Sequence, residues 1–518
     1  MDFAWVFERA SSLRCAGTMK LSMLVSVLTT LCAVDCSSSV GSSAQALSNH
    51  DTPVFGIHEG SINSCDNGER WVHQGALTSV ATSKYDGSYE AMAPGGPDDQ
   101  HESPWWRALG VKTVRVSVPW DIALAGTSAA SLINPSGTQK EWATLHTEAL
   151  TNEQSCLDMW LNAAHVVGAT PEIAFKPDYD YRDPSSNRIL VPDIKVYTQA
   201  MQAFVDRYSR CGTDSCSLSN TSFPGGHATI AQVHIIAPWG EPDFNGKALV
   251  GNYLGAEGDP TIDQAVYTFY MPNGTSRFGE PSCSSSDESC GPVLAAEMWV
   301  AVDDVCGDAC VLHSGPTAYQ RNSGVIAGDF SSAGGSVGNP SYLSTYAQNL
   351  SGKHPVTWAM HAYTDTSTYE WCRLQHQSYD PSAGGDGSES EKYLNSLHDL
   401  GYHNDTYVWF DEISVFVQDT MFLHSGGPCG HNSSSTPPMY TPAIQSDAFD
   451  WLMTKLTAVH GDHPGDEPRV NRIYYMRAFS NGGGGSTNIV PNDPSYPTVD
   501  NGAPSTLYDA MVHYSASH

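Results

Sequence analysis

The chain has 518 residues, with 56 acidic against 25 basic side chains, and a formal charge of -31. So negative a surface repels phosphate backbones and anionic lipid, which argues against nucleic acid and membrane surfaces as partners and leaves neutral substrates open. With only 16% charged residues and 46 glycines, the composition is that of a loop-rich extracellular protein rather than a disordered one.

The N-terminus reads as a targeting segment. Met19-Lys20 opens it, an apolar stretch runs from Leu21 to Val34, and Ala44-Gln45-Ala46 offers a small-residue cleavage site. Residues 1–46 are therefore expected to be a leader containing a secretory signal peptide from Met19, and 47–518 a single domain. Asp35 before Cys36 does not suit a lipoprotein signal. No later stretch is long and apolar enough to span a bilayer, so the expected product is secreted, without membrane insertion after signal cleavage.

After residue 50 one pattern recurs: a short apolar run, a polar loop, then a helix-period segment. The expected strands are Val54–His58, Thr113–Val118, Glu172–Phe175, Ile230–Ala237, Gly324–Gly328, Val356–His361, Tyr407–Asp411 and Arg472–Met476. Their apolar runs are nearly continuous, as strands buried on both faces require. Helices are expected at Ser103–Leu109, Asn152–Val167, Val196–Tyr208, Gly291–Val305, Ser341–Leu350, Glu391–Leu400, Ala443–Val459 and Thr506–Val512. Eight alternating β and α units imply a parallel sheet closed as a (β/α)8 TIM barrel. An open doubly wound sheet would carry a glycine-rich phosphate turn after its first strand, and Gly56-Ile57-His58-Glu59-Gly60 is not one. Long strand-to-helix loops follow the fourth strand (about Gly240 to Cys290) and the seventh (about Phe416 to Pro442), and Gly482–Gly485 follows the eighth. In a barrel these form the active-site face.

Thirteen cysteines, less Cys15, Cys32 and Cys36 in the leader, leave an even ten. Cys211 with Cys216, Cys283 with Cys290, and Cys306 with Cys310 read as disulfide-closed loops. Pairing among Cys65, Cys156, Cys372 and Cys429 stays open. Five sequons start at Asn220, Asn273, Asn349, Asn404 and Asn432, a number that chance also supplies.

Two glutamates stand where strands emerge on the expected active-site face. The fourth strand ends in Trp239-Gly240-Glu241-Pro242-Asp243, the seventh in Trp409-Phe410-Asp411-Glu412-Ile413-Ser414. Strands four and seven lie across a barrel mouth from each other, so the two carboxyl groups can converge as an acid and a nucleophile. Arg115 lies inside an apolar strand, where an unpaired charge is costly, so a carboxylate must answer it, with Glu412 or Asp411 the natural partner. Each glutamate also has a plainer reading as a strand-end salt-bridge partner; the pairing on strands four and seven favours chemistry.

Here the chain resembles the clan A glycoside hydrolases, closest in flavour to a family 39-like or family 5-like group. Trp239-Gly240-Glu241-Pro242 is similar to the clan's fourth-strand W-x-N-E-P, and Trp409-Phe410-Asp411-Glu412-Ile413-Ser414 to its seventh-strand apolar-apolar-T-E-x-G. Arg115 resembles its second-strand Arg, and His361 with Tyr363 its sixth-strand H-x-Y. The resemblance implies a retaining glycosidase with Glu241 as acid/base, Glu412 as nucleophile, a carbohydrate substrate, and neither cofactor nor metal. Gly240 stands where the clan has an Asn that bonds the sugar 2-hydroxyl, which leaves the sugar open.

Weaker substrate-binding candidates are His58 at the end of strand one, and Trp120 and Trp239, whose rings would stack on sugars. Asp178 heads Asp178-Tyr179-Asp180-Tyr181-Arg182-Asp183, a polar substrate loop lacking the glycine and distal glutamate of a calcium loop. Arg477 and Phe479 would border the cleft. The same residues leave two rival readings: a non-catalytic carbohydrate-binding barrel, and a metal-dependent hydrolase, which would need H-x-H on strand one where His58 stands alone.

Overall fold

The computed structural model describes, with short breaks, residues 53–61, 111–124, 151–176, 191–243, 269–270, 290–312, 322–331, 340–382, 388–415, 429, 440–476, 479–480, 490–491 and 510–514. The leader, Asp178, Arg477, the expected helix at Ser103–Leu109, the stretch Gly482–Gly485, Cys65 and Cys283, and most of both long loops lie outside them.

Eight parallel strands form one sheet: β1 (Val54–Ser61), β2 (Thr113–Pro119), β3 (Thr170–Lys176), β4 (Ile235–Ala237), β5 (Ala327–Ser331), β6 (Thr357–His361), β7 (Tyr407–Ile413) and β8 (Arg469–Met476). They pair in the order β5-β6-β7-β8-β1-β2-β3-β4. The ring closes between β4 and the residues just before β5, through a parallel bridge of Ile236 to Val325. There the Ile236 N–H donates to the Gly324 carbonyl at 2.8 Å, and the Ile326 N–H to the Ile236 carbonyl at 2.9 Å. A Cβ on Gly324 would sit 1.8 Å from the His234 carbonyl oxygen, so only glycine lets this seam close. The fold is a (β/α)8 TIM barrel, as the alternating pattern predicts.

The barrel interior holds Ala174, Ile235, Ala237, Ile326, Ala359, Trp409 and Tyr474. Alanines facing two large rings alternate small and large side chains across a narrow bore. Outside it pack helices α1 (Ile194–Tyr208), α2 (Cys290–Cys306), α3 (Pro340–Gln348), α4 (Tyr363–Leu374), α5 (Glu389–Asp399) and α6 (Pro442–Trp451), the last continuing as a π-turn over Leu452–Leu456. α1 buries Val196, Tyr197, Ala200, Met201, Phe204, Val205 and Tyr208 at helical spacing. α5 starts on an N-cap in which the Ser388 hydroxyl accepts from the Glu391 N–H at 2.9 Å.

Three expectations need correction. The run Ile230–Ala237 is not one strand: His227–Ala231 pairs antiparallel with Ser215–Ser219, and only Ile235–Ala237 joins the barrel. Polar residues break the run, since Gln232 reaches the Ser209 carbonyl and His234 Nδ1 contacts the Ala309 carbonyl at 2.8 Å. The fifth strand begins at Ala327 rather than Gly324, because the preceding residues serve the closing seam. α4 was not foreseen. Its Thr364, Thr366, Ser367 and Thr368 are poor helix formers, and burial of Asp365, Thr366 and Ser367 overrides that preference.

Cys211 pairs with Cys216 and Cys306 with Cys310, as neighbouring cysteines suggest. Cys372 of α4 pairs with Cys429 across 57 residues, a closure that restricts the unfolded chain by about 4 kcal/mol in the chain-entropy account. Cys156 is also disulfide-bonded. Among the described residues no helix is long and apolar enough to cross a membrane.

Candidate active site

Glu241 leaves β4 and Glu412 ends β7, and both carboxyl groups converge on His361 at the end of β6. His361 Nδ1 lies 3.0 Å from Glu241 Oε1 and 3.3 Å from Glu412 Oε2. One carboxylate oxygen of each glutamate and a His361 nitrogen all fall within 4.8 Å of one another. Glu241 and Glu412 are 15% and 13% exposed while His361 is buried, so the two glutamates alone of this trio reach solvent.

Beneath them Arg115 of β2 organises the floor. Its Nε donates to Glu172 at 2.9 Å, Nη1 to Glu412 at 3.1 Å and to the Asp411 carbonyl at 3.2 Å, and Nη2 to Asp329 at 2.6 Å. A planar guanidinium meets partners in three directions, as an ammonium cannot. His58 Nδ1 lies 2.9 Å from Glu412 Oε1 and 3.0 Å from Arg115 Nη1. Because the Arg115 protons already have carboxylate and carbonyl acceptors, the His58 Nδ1 proton goes to Glu412. The Tyr363 hydroxyl donates to Glu412 Oε2 at 3.0 Å and also contacts Met476.

Asp329 of β5 is the member the sequence did not single out. It accepts from His361 Nε2 at 2.6 Å as well as from Arg115, so it ties the two cations together. Glu172 is the other. The signal for Glu172 was legible, a charge in the apolar run Pro171-Glu172-Ile173-Ala174-Phe175, beside an equally isolated Arg115. Asp329 carried no such mark.

The backbone here is bent to serve these contacts. Glu241 and Asp329 both adopt left-handed conformations, with φ of 50° and 58°, each costing about 1–3 kcal/mol. The Glu241 N–H donates to the Asp329 carbonyl at 2.8 Å and the Gly240 N–H to the Phe175 carbonyl at 2.7 Å. A Cβ on Gly240 would stand 3.2 Å from Asp329 Oδ2, so the space an Asn side chain would need is already occupied by Asp329.

Each charge in the site has a partner of opposite sign. Burial opposes a charge on His361, but Glu412 and Asp329 outweigh it and raise its affinity for the proton well above the ordinary value. Burial would likewise raise Asp329, yet Arg115 and His361 hold it down at about 2. Glu412 is kept well below its usual range because His361 and His58 outweigh burial. Burial and the adjacent Asp329 push Asp411 well up against the pull of Arg115 and His361. The cations Arg115 and His361 thus lie among the carboxyl groups of Asp329, Glu412 and Glu172, the last pushed up by burial to about 7. The trios Glu241–His361–Glu412 and Asp329–His361–Asp411 have metal-like spacing, but a divalent cation there would face the Arg115 guanidinium, so these residues do not suit a metal.

Stability is expected to peak in mildly acidic solution. Burial lifts Glu172 from 4.5 to about 7, and burial with Asp365 lifts Glu389 to about 8. The folded chain then keeps protons the unfolded chain has released, and stability falls as pH rises from about 4.5 towards 8. His361 adds to this: its contribution is complete below about 6.5 and is lost as pH climbs through its raised folded value. On the acid side Asp329 contributes above about 4 and loses that contribution as pH falls towards 2, and Glu412, also held low, acts in the same direction. Burial lowers His58 against the pull of Glu412, so His58 costs stability below about 6.5. Thermal unfolding followed from about pH 3 to about pH 9 should show the highest Tm near pH 5; a maximum in the alkaline range would contradict the charge balance.

The other sequence candidates divide. His58, His361, Tyr363 and Arg115 join the two glutamates. Trp120 and Trp239 do not present open faces: both are nearly fully buried, 6.5 Å and 6.3 Å from the Tyr197 ring, because strand ends tucked under α1 belong to the core. Of Phe479 only the backbone pairing with Val490 is described.

No protein-family model matches the chain, and a search of curated proteins finds no match. Among solved structures the chain is similar to the catalytic domain of a GH26 endo-β-1,4-mannanase from Bacillus sp. JAMB-750, at 11% identity over 89% of this chain and 85% of that one, with a TM-score of 0.37. It is also similar to a β-glucosidase from Thermotoga maritima, at 10% identity over 90% and 97% with a TM-score of 0.37. An endocellulase from Pyrococcus horikoshii matches at 10% identity over 89% and 92% with a TM-score of 0.39. The barrel assignment rests on the sheet topology, and the chemistry on the residues themselves.

Proposed function

We propose that the protein is a secreted retaining glycoside hydrolase that cleaves O-glycosidic bonds of a plant or microbial oligo- or polysaccharide by double displacement. The observation that carries this reading is the carboxylate pair: oxygens of Glu241 and Glu412 within 4.8 Å of each other, on strands across the barrel mouth. Retaining enzymes hold their carboxyl groups about 5–5.5 Å apart, whereas inverting ones need about 6.5–9.5 Å to admit a water.

The roles follow from the charges. Glu412, stabilised as an anion by His361, His58, Arg115 and Tyr363, attacks the anomeric carbon. Retention assigns the proton to Glu241, a form that the negative charge on Glu412 favours against the pull of His361 3.0 Å away, and Glu241 donates it to the departing oxygen. Glu241 then takes a proton from water, which displaces Glu412 and releases the sugar with retained configuration. Arg115 holds the Glu412 carboxylate directly at 3.1 Å, whereas Asp329 acts by positioning, through Arg115 and His361. No residue of this scheme calls for a cofactor.

The test is sugar release from a panel of plant and microbial polysaccharides and aryl glycosides, with product anomers read by NMR at early times. Release with retention supports the proposal. Release with inversion refutes the double displacement, and absence of cleavage across the panel favours a carbohydrate-binding barrel.

Gly240 gives a second check. Gly240→Ala places a methyl group against Asp329 and so disturbs the residue that orients His361. The expected result is a roughly tenfold fall in kcat/KM with an unchanged Tm. Wild-type kinetics in this variant would show that Asp329 has slack.

A further inference from the structure

At the opposite end of the barrel, two histidines and an aspartate from two loops converge. His398 is in the last turn of α5, and His403 lies just before β7. Asp466 lies just before β8. A nitrogen from each histidine and an Asp466 carboxylate oxygen are all within 4.8 Å of one another. Specifically, Asp466 Oδ2 is 3.8 Å from His398 Nε2 and 3.7 Å from His403 Nδ1.

Local chain geometry builds this arrangement. α5 ends in a Schellman turn: the Tyr402 N–H donates to the Leu397 carbonyl at 3.0 Å and the Gly401 N–H to the His398 carbonyl at 2.9 Å. Gly401 takes φ of 88°, which reverses the chain and brings His403 back beside His398. The second loop is a turn over His463-Pro464-Gly465-Asp466, closed by the Asp466 N–H donating to the His463 carbonyl at 3.0 Å, with Gly465 at φ 95°. Proline then glycine at the two central positions is the type II pattern. The Asn404 side-chain amide donates to the Gly465 carbonyl at 3.3 Å and ties the loops together.

Two further contacts fit a ligand role. The His463 ring stacks on His398 with centroids 3.8 Å apart and an interplanar angle of 15°, which fixes the plane of the His398 ring. His398 Nδ1 is buried without a hydrogen-bond partner, and Asp399 Oδ1 stands 4.0 Å from it. At that distance Asp399 does not hold the ring, so the stacked His463 is what orients it, while Asp399 stands where a carboxylate accepting from a metal-bound histidine's second nitrogen would stand.

From this geometry we infer that His398 Nε2, His403 Nδ1 and Asp466 Oδ2 form a binding site for one divalent transition ion of the zinc class, with water as fourth ligand. Bond lengths of about 2.0–2.2 Å imply ligand atoms ~3.4 Å apart in a tetrahedron. The observed 3.7 and 3.8 Å close to that value by small rotations. Asp466 and His403, at 67% and 46% exposed, are free to make them. His403 Nδ1 also approaches the Asp466 carbonyl at 3.3 Å, a contact it would give up on binding. Two imidazoles with one carboxylate suit zinc, nickel or cobalt rather than calcium or magnesium. The ion would staple the loop before β7 to the loop before β8, about 20 Å from Glu412 along β7, and its role would be stability rather than catalysis.

The test is calorimetric titration of zinc chloride into the untagged, chelator-treated protein. It should be expressed without glycosylation because Asn404 beside His403 is a sequon. The expected result is one zinc per chain with a Kd in about the micromolar range and a Tm that rises with zinc. His403→Ala and Asp466→Ala should each weaken binding at least about tenfold and abolish the Tm shift. His460→Ala, a nearby histidine outside the trio, and Glu241→Gln should leave the titration unchanged, the latter excluding zinc held at the catalytic carboxylates. Absence of stoichiometric zinc, or binding that survives both His403→Ala and Asp466→Ala, overturns the inference.

Discussion

Glu412→Ala should lose at least about a thousandfold in kcat on every substrate, because the variant has no group to attack the anomeric carbon. Added azide should restore turnover on aryl glycosides by attacking from the vacated side, and the glycosyl azide formed should have inverted configuration. Glu241→Ala should behave differently. Natural substrates, whose leaving oxygen needs a proton, should lose about 10²–10⁴-fold, while aryl glycosides with good leaving groups should still glycosylate Glu412. Azide should then intercept that intermediate and give a glycosyl azide of retained configuration. Opposite product configurations from the two variants would assign nucleophile and acid/base separately. Identical behaviour of both variants and wild type would place the chemistry elsewhere.

Arg115→Met should cost about 3–5 kcal/mol of folding stability. The guanidinium is 1% exposed and answers Glu172, Asp329 and Glu412 at 2.6–3.1 Å. Removing it leaves buried carboxylates without their counter-ion, and they must then either protonate or stay charged in a poorly solvated core. Arg115→Lys keeps the charge but not the three-way fork, so it should recover part of the stability and little of the activity. Urea unfolding of the three proteins measures this directly. Equal stability of Arg115→Met and wild type would mean that the carboxylates are neutral in the fold.

These expectations trace back to different depths of information. Arg115, Glu241 and Glu412 were readable as candidates because each interrupts or ends an apolar strand, a signal contained in a few adjacent residues. His361 and Tyr363 entered through the resemblance of their motif. For Trp120 and Trp239 the sequence leaves the ring's direction open: an aromatic at a strand end has the same local sequence whether its ring faces the mouth or a helix, and α1 decides between the two. α4 was invisible because its polar, β-branched residues are helical only by virtue of what buries them.

What the amino-acid sequence determined by itself is the eight-unit barrel and the two strands that carry glutamates, since hydrophobic period and strand ends are properties of neighbouring residues. Tertiary structure alone decided that Asp329 ties Arg115 to His361, that Gly240 leaves room for it, and that His398, His403 and Asp466 meet. Each of those contacts joins segments far apart in the chain. Charge and distance act through space, and a linear pattern records only which residues are present, not which of them the closing of the barrel brings within hydrogen-bonding reach.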